Sequence, residues 1–325
     1  MYTPNQLQEV IENAVQNICY PAQPERLYEP IRYIMSLGGK RIRPVLTLMA
    51  ADLFGADIQA AMPAALAIET FHNFTLIHDD IMDNAPLRRG KQTVHEKWGV
   101  NNAILSGDVM MVEANKHLSM LNANVLKDAL HTFNATAQGV CEGQQLDMEF
   151  EEQDVVNISD YINMIRLKTA VLVGGAMKLG AQVAGASPEQ AQQLYVFGEN
   201  LGIAFQLQDD ILDVYGDPEK FGKQVGGDII ANKKTLLLLK LKELANADDL
   251  LVLEQQSVNT NHPEKIKNTT ALYDDYNIRE LASIEMRNYS DKAFEALTSL
   301  KIAGAAEERK AELFNLAALL MNREH

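Results

Sequence analysis

No proline lies between Pro86 and Pro188, between Pro218 and Pro263, or after Pro263. The proline ring breaks a helical ladder, so its absence over such lengths leaves long helices open to the chain. These stretches are also rich in Ala, Leu, Met, Gln and Glu, all strong helix formers. Apolar spacing agrees. Leu105, Val109, Val112, Lys116 and Met120 fall on one helical stripe, as do Leu194, Phe197, Leu201, Phe205 and Leu212. Ser187-Pro188-Glu189-Gln190, and Ser159 before "YINMIRLKTA", read as helix starts, and "TLLLLKLKEL" (235–244) reads as a packed helix. No run of alternating β-branched residues stands out. The expected class is all-α, with ten or more helices. No Gly/Ser-rich linker divides residues 1–325, so they read as one domain.

At 47% hydrophobic and 22% charged, the 325 residues have a globular composition. The net charge of −15 argues against a general affinity for nucleic acid or anionic lipid. An anionic ligand must therefore be held by a local basic cluster or by metal ions. Two distant cysteines, Cys19 and Cys141, give no zinc-ligand spacing and suit a reducing, cytoplasmic setting. The N-terminus has no basic start followed by an apolar core, so no signal peptide is read there. No apolar run approaches the roughly 20 residues that a membrane span needs.

Two segments stand apart: "FTLIHDDIMD" (74–83) and "IAFQLQDDILD" (203–213) each end an apolar stretch in DDxxD. On a helix Asp79 and Asp83 share a face, with Asp80 about 100° round, and Asp209, Asp213 and Asp210 repeat that arrangement. Like charges at i,i+4 destabilise a helix, and burial raises the cost. A solvated helix end explains one such cluster. Two, each closing a greasy helix, call for cations. Hard carboxylate oxygens without clustered Cys or His select Mg²⁺, with Mn²⁺ as a substitute. Mg²⁺ bridges a few carboxylates to phosphate oxygens, so a phosphate-bearing ligand is expected.

Basic residues supply the counterpart. "GGKRIRP" (38–44) sets Lys40, Arg41 and Arg43 beside two glycines, and "PLRRGK" (86–91) sets Arg88, Arg89 and Lys91 soon after Asp83. Lys168, Lys223, Lys233 and Lys234 follow. Neither GxxxxGK[ST] nor GxGxxG occurs, which argues against P-loop and dinucleotide binding.

With these elements in order (GGKRIRP, FHNFTLIHDDIMD, LRRG, GQQLD, KT, FQLQDDILD, GK and NKKT), the chain resembles the trans-isoprenyl diphosphate synthases, or polyprenyl synthetases, over roughly residues 36 to 235. The resemblance implies an all-α bundle around a central cavity, a homodimer, and two aspartate-rich helices facing each other. It implies head-to-tail condensation of isopentenyl diphosphate with an allylic prenyl diphosphate. Three Mg²⁺ are then expected, with Asp79 and Asp83 binding two, Asp209 the third, and Asp80, Asp210 and Asp213 assisting directly or through water. Arg88, Lys168 and Lys223 would grip the allylic diphosphate, with Lys233 near it. Isopentenyl diphosphate would sit among Lys40, Arg43, His72 and Arg89. Thr169, Gln206, Gln144 and Asp147 would line the site, and Thr169 and Gln206 could stabilise the allylic cation. His78 is read as structural.

Phe74, five residues before Asp79, is followed by Thr75. In the family a large residue there acts as a floor under the growing chain, and this pair resembles the pattern for geranylgeranyl diphosphate (C20). Farnesyl diphosphate (C15) is the alternative. A terpene cyclase is disfavoured by Lys40, Arg43 and the second complete DDxxD, and a non-catalytic partner subunit by all six aspartates. The preferred starter, and the role of the chain after residue 235, are not legible.

Overall fold

The computed structural model describes residues 2–217, 225–302 and 306–321. The chain divides into two compact units. The first comprises residues 1–138, 172–195 and 299–313, and the second 139–171, 196–298 and 314–325.

The first unit opens with α1 (Pro4–Gln16). Thr3 and Gln6 exchange side-chain and backbone hydrogen bonds in a capping box, and Pro4 stands where its missing N–H is not needed. The helix buries Leu7, Ile11 and Val15, four residues apart. Next come α2 (Glu25–Ser36), α3 (Ile42–Leu53) and the long α4 (Ile58–Met82), which Asp57 caps by accepting from the Gln59 amide. Helix α4 packs on α3 and on α6 (Val100–Leu118), with short α5 (Val94–Trp98) before α6. The first aspartate motif ends α4, with Asp83 as its C-cap.

Two features of this unit go beyond the sequence reading. A two-stranded hairpin, β1 (Leu87–Arg88) with β2 (Lys91–Gln92), interrupts the helices. Its turn places Arg89 at φ 52° and Gly90 at φ 72°, the left-handed pair a tight hairpin requires. An arginine there carries no turn signature. The stripe on α6 also faces outward. Leu105, Val112 and Met120 are 56%, 58% and 71% exposed, while Ala103, Met110, Ala114 and Leu118 form the packed face. Periodicity gives a stripe but not the side that packs.

Helix α7 (Ala123–Glu152) runs through both units' residue ranges. In the second unit, α8 (Ile158–Ile165) leads into a π-helical turn, Arg166–Ala170. The next helix in the chain, α9 (Val171–Val183), falls from residue 172 in the first unit's range. Helix α10 (Pro188–Tyr215) starts from a capping box, in which Ser187 accepts from the Gln190 amide. Of its stripe, Leu194, Phe197 and Leu201 are buried and Phe205 and Leu212 half-buried. After α11 (Gly227–Ile230), α12 (Leu236–Leu244) buries Leu236, Leu237, Leu239 and Leu241 in a core shared with Ile203, Leu207, Tyr161 and Ile278. Helices α13 (Ala247–Ser257), α14 (His262–Asp275), α15 (Ile278–Ser299) and α16 (Ala306–Met321) complete the order. No described helix is long and apolar enough to cross a membrane.

Candidate active site

In the first unit, the middle carboxylate of the motif is turned inward. Asp80 is 1% exposed, and Arg88 clasps it with Nε at 2.8 Å from Oδ2 and Nη2 at 2.7 Å from Oδ1. The same guanidinium lies 3.7 Å from Asp79 Oδ2. Asp79 is partly exposed and Asp83 exposed, so the two carboxylates that share a helical face are the accessible ones. The hairpin brings Arg88 back to α4 within eight residues.

The loop 38–41 is built around Arg41, which takes φ 46° ahead of α3. Its buried guanidinium donates to Glu12 at 2.9 Å, Glu69 at 2.5 Å and the Met35 carbonyl at 2.7 Å. Arg41 therefore anchors the loop, while Lys40 stays exposed. Arg89 donates to the Gly38 carbonyl. Its guanidinium lies 3.0 Å from where a Cβ on Gly39 would stand, and Gly39 sits at φ +137°, a backbone conformation that favours glycine.

Arg43 Nη1 is 3.2 Å from His72 Nε2. Burial, then the charge of Arg43 and of Arg89, hold the imidazole pKa well below its usual value. His72 is thus neutral, and its Nε2 accepts. Two residues on, the Phe74 ring meets His78 edge-on at 4.7 Å and Phe71 at 5.5 Å. His78 lies so close to α6 that a Cβ at Gly107 would fall 2.4 Å from its Nε2. Thr75 donates to the His72 carbonyl at 2.7 Å.

In the second unit, the π turn carries Lys168 and Thr169. One extra residue per turn widens the backbone, a feature frequent at functional sites. It is pressed onto α7, where a Cβ at Gly143 would lie 2.1 Å from the Lys168 amide nitrogen. Gly143 is the glycine of GQQLD, and the Asp147 of that motif accepts from Lys168 Nζ at 2.6 Å. Gln144 Nε2 is buried without a hydrogen-bond partner among the described residues. Thr169 Oγ1 donates to Gln206 Oε1 at 3.3 Å, and Gln206 Nε2 donates to Asp210 Oδ1 at 3.2 Å. Asp210 Oδ2 accepts from the Tyr161 hydroxyl. Burial, then Asp228, pushes the Asp210 carboxyl up to about 8. Asp213 accepts from the Asp228 amide at 2.9 Å, and Asp209 is partly exposed.

Lys233 is exposed, whereas Lys234 donates to the Phe150 and Glu151 carbonyls at the end of α7, a cation at a helix C-terminus. Lys223 lies outside the described residues. Among the described residues no three His, Cys, Asp or Glu side chains converge on one metal position. Mg²⁺ usually takes one or two protein carboxylates and completes its shell with water and phosphate. The accessible donors Asp79, Asp83 and Asp209 are hard oxygens, as that ion prefers.

The family model described as Polyprenyl synthetase matches residues 24–275. The chain belongs to the polyprenyl synthetase family. It is 42% identical over 236 residues to the geranylgeranyl diphosphate synthase of Methanosarcina mazei, covering 72% of each chain. It is 36% identical over 319 residues to a short chain isoprenyl diphosphate synthase of Methanothermobacter thermautotrophicus, covering 98% of this chain and 96% of that one. A crystal structure of a geranylgeranyl pyrophosphate synthase superposes with a TM-score of 0.94 at 42% identity, covering 100% of both chains. As a polyprenyl synthetase the chain is a prenyltransferase, condensing isopentenyl diphosphate with an allylic diphosphate.

Three features of this region escape the sequence. Nothing local in the sequence ties Tyr161 to Asp210, 49 residues further on. The π turn has no residue signature. Arg41 stands among basic neighbours in GGKRIRP, with nothing to mark its burial.

Proposed function

We propose that this polyprenyl synthetase makes geranylgeranyl diphosphate (C20), with Asp79, Asp83 and Asp209 holding Mg²⁺. Farnesyl diphosphate (C15) is the competing product. The observation carrying the metal assignment is the shared treatment of the two motifs. Asp80 and Asp210 are buried and hydrogen-bonded within the protein, while their flanking aspartates remain accessible. Asp80, Asp210 and Asp213 act behind those ligands, directly or through water, and three ions are expected.

Bound Mg²⁺ would neutralise the charge that develops on diphosphate as the allylic C–O bond breaks. Arg88 adds a fixed cation beside Asp79, and Lys168, Lys223 and Lys233 add others. Lys40, Arg43, Arg89 and neutral His72 bind isopentenyl diphosphate. A neutral His72 donates and accepts hydrogen bonds without adding a charge to that pocket. Thr169 and Gln206 direct oxygen dipoles at the cation. The isopentenyl double bond attacks that cation, and the departing diphosphate takes the proton, so no protein nucleophile is used. Phe74, braced by Phe71 and His78, forms the floor, with Thr75 beside it.

The outward stripe on α6 supports a homodimer. Ile104, Leu105 and Val112 on α6, with Met120 just beyond its end, expose apolar surface that a second copy would cover. Both cysteines are exposed and free, which suits a reducing cytoplasm. The reading also takes residues 1–325 as one catalytic domain.

The test is product sizing. With Mg²⁺, isopentenyl diphosphate and each of dimethylallyl, geranyl and farnesyl diphosphate, C20 should dominate. A C15 end product, with farnesyl diphosphate unused, would replace the C20 assignment.

A further inference from the structure

Tyr161 has no part in the chemistry described so far, yet its hydroxyl is committed to it. The ring belongs to the second unit's core, with Met164, Ile165, Leu207 and Ile211. Phenylalanine would fill that space equally well. The hydroxyl instead reaches Asp210, a carboxylate only 4% exposed. Burying both polar groups is unfavourable unless they bond to each other.

The consequence lies one residue further along. Asp210 Oδ2 is taken by Tyr161, which leaves Oδ1 to accept from Gln206 Nε2 at 3.2 Å. An amide has a donor end and an acceptor end, so fixing the nitrogen fixes the oxygen. Gln206 Oε1 must then point to Thr169, whose hydroxyl donates to it at 3.3 Å. The chain Tyr161–Asp210–Gln206–Thr169 is thus directional, and it presents oxygen at its open end. Its direction holds whichever partner carries the proton at Oδ2, because a phenol can give or accept it and Oδ1 stays an acceptor.

We propose that Tyr161 is a positioning residue for the prenyl transfer: through Asp210 it locks the Gln206 amide with its oxygen, rather than its NH₂, toward the allylic cation. The proposal rests on the reading of Thr169 and Gln206 as cation-stabilising groups. Without the hydroxyl the Asp210 carboxylate loses its second anchor and can rotate. The Gln206 amide is then free to turn and offer the positive end of its dipole, which disfavours the cation. Ground-state binding of diphosphate, made elsewhere by charge, is untouched.

The test is Tyr161→Phe in the full-length enzyme. Two inert ligands are titrated calorimetrically with Mg²⁺: an allylic thiolodiphosphate, whose chain is neutral, and an aza analogue carrying an ammonium where the cation develops. We expect the aza analogue to weaken roughly tenfold, the worth of about one oriented hydrogen bond. The thiolodiphosphate should bind unchanged, kcat should fall by a similar factor, and both KM values should hold. Tyr161→Phe combined with Gln206→Ala should lose no more than Gln206→Ala alone, because the two act in series. Equal weakening of both ligands, or of neither, overturns the proposal and leaves Tyr161 a core residue.

Gln206→Ala separates the two layers of the reading. If it weakens the aza analogue and Tyr161→Phe does not, only the relay fails. If Gln206→Ala and Thr169→Ala both leave that ligand and kcat unchanged, the cation-stabilising reading fails and takes the relay with it. Should Tyr161→Phe not fold, Tyr161→Leu serves, since it also removes the hydroxyl while keeping an apolar side chain in that core, and should give the same selective loss. An unchanged ratio of the two affinities there overturns the proposal as well.

Discussion

Asp80 and Asp210 hold the same place in their motifs, and both are withdrawn from solvent and bonded to neighbours. Their flanking carboxylates stay accessible to solvent, so under the proposed reading loss of a flanking residue should be a loss of chemistry. For Asp79→Ala and Asp209→Ala we expect kcat to fall on the order of 100-fold or more at saturating Mg²⁺, with the melting temperature held or raised as charge repulsion is relieved. Steady-state kinetics beside thermal unfolding check this. Phe74→Ala should release longer prenyl products from farnesyl diphosphate, and an unchanged distribution by chromatography removes Phe74 as the floor. His72 gives a pH signature. Its folded pKa lies below the ordinary value, so below about pH 6.5 the unfolded chain takes a proton that the native one refuses. Stability therefore falls as pH drops through that value, by up to about 1.4 kcal/mol per unit. Denaturant titrations at pH 7.5, 6.5 and 5.5 should show that slope, reduced in His72→Asn.

At the scale of elements, the π turn and its seat on α7 are the most constrained contact of the second unit. A methyl at Gly143 meets Lys168 backbone atoms, which cannot swing away as a flexible side chain would. Gly143→Ala should therefore cost about 1–3 kcal/mol of stability, the usual range for overpacking, and lower activity by displacing Lys168 and Thr169. Urea unfolding with a matched rate assay tests both. Most elements here were legible in the sequence. Helices α6, α7 and α12 follow from proline-free runs of helix formers, and Ser187 caps α10 as its spacing predicts. The motif residues were legible too, because charge at the end of an apolar helix needs a reason. The hairpin at Arg89-Gly90, the π turn and the buried Arg41 were not. Each depends on a backbone angle or a distant partner, such as Glu12 and Glu69 for Arg41, that no local pattern encodes.

For the whole molecule, the stripe on α6 shows where periodicity stops being informative, since a regular apolar face can meet the core or a second copy. The dimer reading predicts that Leu105→Lys with Val112→Lys shifts the protein from dimer to monomer by sedimentation, while a wild-type monomer at micromolar concentration contradicts it. The central claim is that aspartates of both motifs recruit magnesium for a prenyl diphosphate. Calorimetric titration of an allylic thiolodiphosphate, with and without Mg²⁺, measures it directly. Tight binding should require the metal, and Asp79→Ala and Asp209→Ala should each abolish that requirement along with the affinity. Equal binding without Mg²⁺, or metal-dependent binding that survives both substitutions, would contradict the account.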